Sequence, residues 1–300
     1  MASYSQESLQ SNFSWALRNG SSLASVIAEC NKNGTPPARI PIQITVLVIA
    51  LPANALLVWL LLRNKKPLSP SEVLGLNLAV LSIIYCLSLP LDIYISTRLR
   101  SGLLLRICHT FSILSYFGCP LLLSSMCTER FVAASFPVLF MRLGKLEYRA
   151  AYSAFLWLLT ITMAAATYIY SLPVVAVALS FIINILFFFM LIALLGIVWV
   201  LCKKGPGDAT NGEQRDSSIK KRALKNILAV IVPSTIIYLP VVALGPYLLL
   251  LEAIGDDGMN AFLCNGLQLF SVLPNFGVCI GPSFYLTRAR QVLCYKSNET

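Results

Sequence analysis

The sequence is short of charge. Asp, Glu, Lys and Arg make up 12% of its 300 residues, against roughly 25% in an average soluble domain. Hydrophobic residues reach 57%, which excludes a soluble globular domain along with disorder, coiled coil, collagen and a small disulfide scaffold. Histidine is nearly absent. His109 has no Cys, His or carboxylate partners at ligand spacing, so neither a metal centre nor a histidine base has a basis, and no cofactor and no enzyme activity are expected. Residues 1–39 lack an apolar run, so no cleavable signal peptide is expected and the first span should serve as the insertion signal. No internal repeat is visible and no ionisable residue stands mid-span. Both absences argue against a transporter built from inverted halves or driven by protons.

What the sequence has instead is long apolar runs. A helix crossing the hydrocarbon needs roughly 20 apolar residues. Ile40–Leu62 carries no charge and is bracketed by Arg39 and Arg63. Ala150–Cys202 carries none either and is too long for one crossing. It reads as two helices broken at Tyr170-Ser171-Leu172-Pro173, because proline resists a helix interior. Counting in this way predicts an all-α membrane protein, a seven-transmembrane helix bundle with spans at about 40–62, 73–95, 103–127, 150–171, 174–202, 223–251 and 261–287. The second span is expected to end near Asp92. Residues 1–39 form a tail, 40–287 the membrane domain and 288–300 a short second tail.

Most of the 23 Lys and Arg fall between spans on one side: Arg63, Lys65 and Lys66; Arg130, Arg142, Lys145 and Arg149; the Lys203–Lys225 loop; and Arg288, Arg290 and Lys296. Arg18, Lys32, Arg39, Arg98, Arg100 and Arg106 fall on the other. The asymmetry predicts an external N-terminus and a cytoplasmic C-terminus. The net charge of +10 is then a topology signal, and nucleic acid is not an expected partner. Asn12, Asn19 and Asn33 head three N-x-[ST] acceptors in the external tail and are expected to be glycosylated.

Short motifs at the helix ends go further. Asn54 sits in Pro-Ala-Asn in the first span and Asn77 in Asn-Leu-Ala in the second. The third span closes on Thr128-Glu129-Arg130, and Trp157 lies in the middle of the fourth. Tyr238-Leu239-Pro240 lies in the sixth and Gly281-Pro282-Ser283-Phe284-Tyr285 in the seventh. In order, one per helix, these resemble the conserved motifs of rhodopsin-like (class A) G-protein-coupled receptors over residues 38–296. The resemblance implies coupling and switching through Thr128, Glu129, Arg130, Tyr238, Pro240, Pro282 and Tyr285. Arg130 would pair with Glu129 at rest and reach towards a heterotrimeric G protein when the Pro240 helix swings out. It implies helix packing through Asn54, Asn77, Ser82 and Trp157.

The same resemblance marks departures. Ser82 stands where the family has Asp, and Cys119 and Gly281 stand at its other sodium-binding positions. All three are poor for a hard cation, so no sodium site and no metal are expected. Ser234 replaces the usual Phe and Tyr238 the usual Trp. Cys30, Cys108 and Cys264 lie towards the outside and cannot all pair internally. The resemblance implies a Cys30–Cys264 bridge, or Cys108 bonded to either, or Cys108 left free. Cys294 follows Arg288 and Arg290 in the tail and is a palmitoylation candidate.

The outer half of the bundle reads as almost free of charge, and no acidic residue or Schiff-base lysine stands where amine receptors or opsins would need one. Tyr94, Arg98, Tyr116, Asn184, Tyr247, Gln268 and Ser271 are the candidate ligand-binding residues. The implied function is a plasma-membrane receptor, multi-pass and in contact with membrane lipid. It would bind an extracellular ligand, with a lipid or peptide favoured over an amine. The alternatives are a receptor-like protein that does not signal conventionally, such as a scavenger or heterodimer partner, and a transporter.

Overall fold

The computed structural model describes residues 39–63, 68–98, 102–143, 145–170, 172–202, 228–244, 246–247, 272–283 and 285. Among them every regular element is helical. In chain order these are α1 (Arg39–Arg63), α2 (Pro70–Arg98), α3 (Gly102–Ile113), a π-helical turn (Leu114–Gly118), α4 (Cys119–Ser135), α5 (Pro137–Leu143), α6 (Leu146–Tyr170) and α7 (Leu172–Cys202). An apolar helix, α8 (Leu228–Leu244), and a 3-10 helix, Leu273–Cys279, follow. Five stretches are long and apolar enough to cross a membrane: Arg39–Arg63, Pro70–Ile95, Gly102–Ala133, Glu147–Tyr170 and Val174–Trp199. The third of these runs through α3, the π turn and most of α4.

Local chemistry explains the helix ends. α2 begins earlier than its apolar run because Glu72, in Ser69-Pro70-Ser71-Glu72, reaches back to cap its start as in a capping box. The Ser69 backbone N–H donates to Glu72 Oε2 at 2.7 Å, and Pro70 occupies a first-turn position where no N–H is needed. α2 also runs past its expected end, through Asp92 to Arg98. α4 stops at Phe136, whose backbone (φ −134°, ψ 65°) is non-helical because the following Pro137 disfavours the α conformation. At one end of α1 the Arg63 guanidinium lies 4.9 Å over the Trp59 ring, a pairing suited to a membrane boundary.

The burial pattern is that of a bundle in an apolar solvent. On α1 the buried residues are Gln43, Val46, Ala50, Asn54, Leu57 and Leu61, one stripe at three- and four-residue spacing. The opposite face exposes Ile44, Val48, Leu56 and Trp59. Polar side chains point inward and hydrophobic ones outward as well as inward, because lipid tails are as apolar as the core. Asn54, Ser82, Ser115, Thr167 and Ser180 are fully enclosed.

The expected seventh α-helix is wound differently. Leu273–Cys279 is a 3-10 helix, with α-helical turns following at Ile280–Ser283. Pro282 cannot donate to the Val278 carbonyl, and the Tyr238 hydroxyl presses on Gly277, where an added Cβ would lie 2.0 Å from it.

Candidate functional site

Helices in a bilayer satisfy their own backbone groups. Cross-helix polar contacts therefore gather where a backbone carbonyl has lost its helical donor. Proline creates such carbonyls, and three of them organise the core.

The first is in the π turn. Cys119 N–H donates to Leu114 O and so skips Ser115 O, its ordinary α-helical acceptor. The residue after Cys119 is Pro120, whose ring crowds the preceding turn. The freed Ser115 carbonyl accepts the Tyr238 hydroxyl at 2.8 Å. Ser115 Oγ donates in turn to Pro274 O at 2.6 Å. Tyr238, fully buried, thus joins α8 to the π turn, and Ser115 joins the π turn to the 3-10 helix. The second is Val278 O, whose α-helical donor would be the absent N–H of Pro282. Asn54 Nδ2 supplies the bond from α1 at 3.1 Å. The third is Val242 O, orphaned in the same way by Pro246. Asn184 Nδ2 reaches it from α7 at 2.8 Å, and Ser180 Oγ donates to the adjacent Val241 O at 2.5 Å.

A second set of contacts lies at the end of the bundle that holds Arg130. Its hub is Ser71, in the first turn of α2. Arg130 donates from a terminal guanidinium nitrogen to Ser71 Oγ at 2.7 Å. The Ser71 backbone N–H acts on the Glu129 carboxylate, and the Ser71 carbonyl accepts the Tyr285 hydroxyl. Glu129, Arg130 and Tyr285, from distant parts of the chain, therefore converge on one small residue. Gly75, one turn along α2, lies under the Tyr285 ring, where a Cβ would come within 2.4 Å of it. Arg130 also acts electrostatically on the adjacent Glu129, while its hydrogen bond goes to Ser71. Consecutive helical side chains point apart, and Ser71 offers both a donor and an acceptor at the position where they diverge. Glu129 Oε2 has no hydrogen-bond partner among the described residues.

The packing positions behave as local anchors. Asn77 Nδ2 donates to Ser153 Oγ at 2.9 Å, and Trp157 Nε1 donates to Asn77 Oδ1 at 3.1 Å, so Asn77 ties α2 to α6. Ser82 Oγ donates within its own helix to Leu78 O at 2.7 Å, beside the Cys119 thiol. Gly281 packs on Leu78, which a Cβ would approach to 2.8 Å. Thr128 Oγ1 donates to Ser124 O at 2.9 Å and is otherwise exposed, apart from the Ser71 cluster. Ser234 Oγ likewise donates to its own helix, at Val230 O. Pro240 is half-buried and Pro282 buried.

Five of the seven candidate ligand residues lie among the described residues, and their surroundings differ. Tyr94 is 55% exposed on α2 while Tyr116 is buried in the π turn. Arg98 is exposed at the end of α2 and Tyr247 is half-buried against the core. The Asn184 amide hydrogens are spent on Ser180 O and Val242 O. Gln268 and Ser271 lie outside the described residues, as do Asn12, Asn19, Asn33, Cys30, Cys264 and Cys294. Cys86, Cys108, Cys119, Cys127 and Cys279 are free thiols, so Cys108, which is buried, is not in a disulfide.

Charge does lie inside the other end of the bundle, contrary to the reading from sequence. Asp92 is buried, accepting on Oδ2 from Arg39 at 2.9 Å and from Gln43 Nε2 at 2.6 Å. The signal was present in the sequence: Arg39 and Gln43 are one turn apart on α1, and Asp92 is the acidic residue in the facing run. Ser71 left no such signal, since a serine in a capping box looks like a helix start and nothing more.

No family model matches the chain. Among curated proteins it is similar to the S-geranylgeranyl-glutathione receptor P2RY8 of Homo sapiens, with 28% identity over 123 residues. The match covers 39% of this chain and 34% of that receptor, so it spans about a third of the length of the curated relative. The chain thus has partial similarity to a receptor and, among the described residues, five helices of membrane-crossing length, as a multi-pass helical membrane protein has.

Proposed function

We propose that the chain is a seven-span plasma-membrane receptor with an external N-terminus, which passes an extracellular ligand signal to a heterotrimeric G protein through movement of α8. The convergence of Arg130 and Tyr285 on Ser71 carries this reading. It holds a basic side chain at a helix end by one neutral hydroxyl, a contact light enough to be exchanged. Tyr238, on the Pro240 helix, is tied to the π turn by a bond to Ser115 O and meets the Cys119 thiol that follows the turn. Displacement of α8 breaks that bond and removes support from the 3-10 segment that leads to Tyr285. The ligand class stays lipid or peptide. The ligand in that relative's name, S-geranylgeranyl-glutathione, is a prenylated tripeptide and combines both chemistries, which makes it the first probe.

The test is basal and probe-stimulated activation across a panel of G-protein sensors, with surface labelling in unpermeabilised cells. Signal from the unmodified chain that disappears in Arg130→Ala and rises in Ser71→Ala supports the proposal. A correctly oriented surface protein that is silent across the panel, with and without the probe, and unchanged by Ser71→Ala overturns coupling. It would favour the non-signalling receptor-like protein, to which the neutral Ser82, Cys119 and Gly281 cluster already points.

A further inference from the structure

Arg149 is the exception in the first turn of α6. Glu147, Tyr148 and Ala150 are exposed there, whereas Arg149 is half-buried and its Nε is enclosed. An arginine at a helix end ordinarily extends its charge to water, so something inside draws this one in. One attraction is the Leu68 carbonyl, just before α2, which accepts from Nη1 at 2.5 Å. A neutral carbonyl does not call for a full charge. The other attraction is Glu129. Among the described residues, Glu129 on α4 and Arg149 on α6 are the only charged side chains along the apolar groove that those helices share with α2 and α5, and the two interact electrostatically.

Glu129 therefore has two cations to answer it. Arg130 is the next residue, but consecutive side chains leave a helix in different directions, and Arg130 donates to Ser71 Oγ at 2.7 Å. The Ser71 backbone N–H, a first-turn donor of α2, acts on the Glu129 carboxylate and favours its charge. A partly enclosed carboxylate with a single cation in reach would hold that cation. With Arg149 supplying positive charge from α6, Glu129 has no need to hold Arg130.

We propose that Arg149 is the positioning residue for Arg130: its charge balances Glu129 and so leaves Arg130 on the Ser71 hydroxyl. Without Arg149, Glu129 draws Arg130 away from Ser71. The side-chain arrangement stands whether or not the chain signals; only its effect on signal rests on the function proposed above.

The test is a pair of double-mutant cycles on the full chain in phosphatidylcholine nanodiscs, read as hydrogen-exchange rates at the start of α2 and the end of α4. The first pairs Arg149→Met with Glu129→Gln. The Leu68 bond is lost on both backgrounds and the carboxylate is stranded on one only, so Arg149→Met should quicken exchange about tenfold less when Glu129→Gln is present. The second pairs Arg149→Met with Ser71→Ala. Arg149 bonds Leu68 and not Ser71, so a merely structural arginine gives additive rates. If Arg130 has left Ser71, the roughly tenfold quickening that Ser71→Ala causes in the unmodified chain disappears on the Arg149→Met background. Arg149→Lys, which keeps the charge, should retain it. In cells, basal G-protein activation should fall in Arg149→Met and return when Glu129→Gln is added. Additive rates in either cycle would overturn the proposal. Coupled rates in a chain that never signals would keep the arrangement and remove the receptor reading, and signalling with additive rates would do the reverse. If Arg149→Met does not fold, Arg149→Gln, neutral and still able to donate to Leu68, takes its place.

Discussion

The two ends of the bundle hold an arginine in opposite ways. At the Asp92 end, Arg39 meets a buried carboxylate at 2.9 Å, and Gln43 braces the same oxygen. The two charges are paired with each other and the contact ties α1 to α2, although Asp92 Oδ1 and Gln43 Oε1, like Glu129 Oε2, have no hydrogen-bond partner among the described residues. At the Arg130 end the arginine finds a serine hydroxyl, and the neighbouring Glu129 keeps one oxygen unpartnered. A buried pair broken on one side strands a charge, whereas a hydroxyl contact can be exchanged for another at little cost. The Asp92 end is therefore built as a clamp, and the Arg130 end as a contact that can be released.

Asp92→Ala should produce the largest effect, because it leaves Arg39 and Gln43 facing a void. A loss of about 3 kcal/mol should appear as a large fall in the thermal unfolding midpoint of the purified protein. The paired change Arg39→Met with Asp92→Leu should recover most of it, since apolar replacement of a buried pair is close to neutral. A small effect of Asp92→Ala would erase the contrast between the ends.

The link between the ends comes next. Gly277→Ala would push a methyl group into the Tyr238 hydroxyl, 2.0 Å from the ideal Cβ position, at a cost of about 2 kcal/mol. Gly102→Ala, with nothing within 4 Å of the new Cβ, should leave the unfolding midpoint unchanged. Similar midpoints for the two variants would mean that Tyr238 is not held where it lies.

Ser71→Ala should cost about 1.5 kcal/mol of local stability, confined to the Arg130 end. Hydrogen exchange should quicken at the end of α4 and the start of α2 and stay unchanged around Asp92. Exchange that rises equally at both ends would show one cooperative unit in place of two. Trp157→Phe, which removes one neutral hydrogen bond to Asn77, should have the smallest effect, about 1 kcal/mol, with exchange faster only where α2 meets α6.

The elements were easier to read than the contacts between them. The break after Tyr170 was visible in Leu172-Pro173, and the charge-free run of Ile40–Leu62 became a helix whose ends moved by one residue each, to Arg39 and Arg63. The start of α2 was missed because an apolar count ignores Ser69 and Glu72, which cap it. Of the motif residues, Asn54, Asn77, Arg130, Trp157, Tyr238 and Tyr285 make cross-helix bonds. Polarity alone does not say which face of a helix a residue occupies: of the ligand candidates, Tyr94 and Tyr116 both look suitable in the sequence, yet Tyr94 is exposed and Tyr116 buried.

What the sequence determined by itself is where the helices are. In lipid a backbone must satisfy its own hydrogen bonds within a few residues, so apolar length, proline and capping residues decide each element locally. The prolines at 120, 246 and 282 also determined which carbonyls would be left open. Only the tertiary structure decided what fills them. Tyr238 reaches Ser115, Asn184 reaches Val242 and Asn54 reaches Val278 across 58 to 224 residues of chain. Such partners are chosen by how the helices pack, because a polar group enclosed in a bundle must find its match among whatever the facing helix presents.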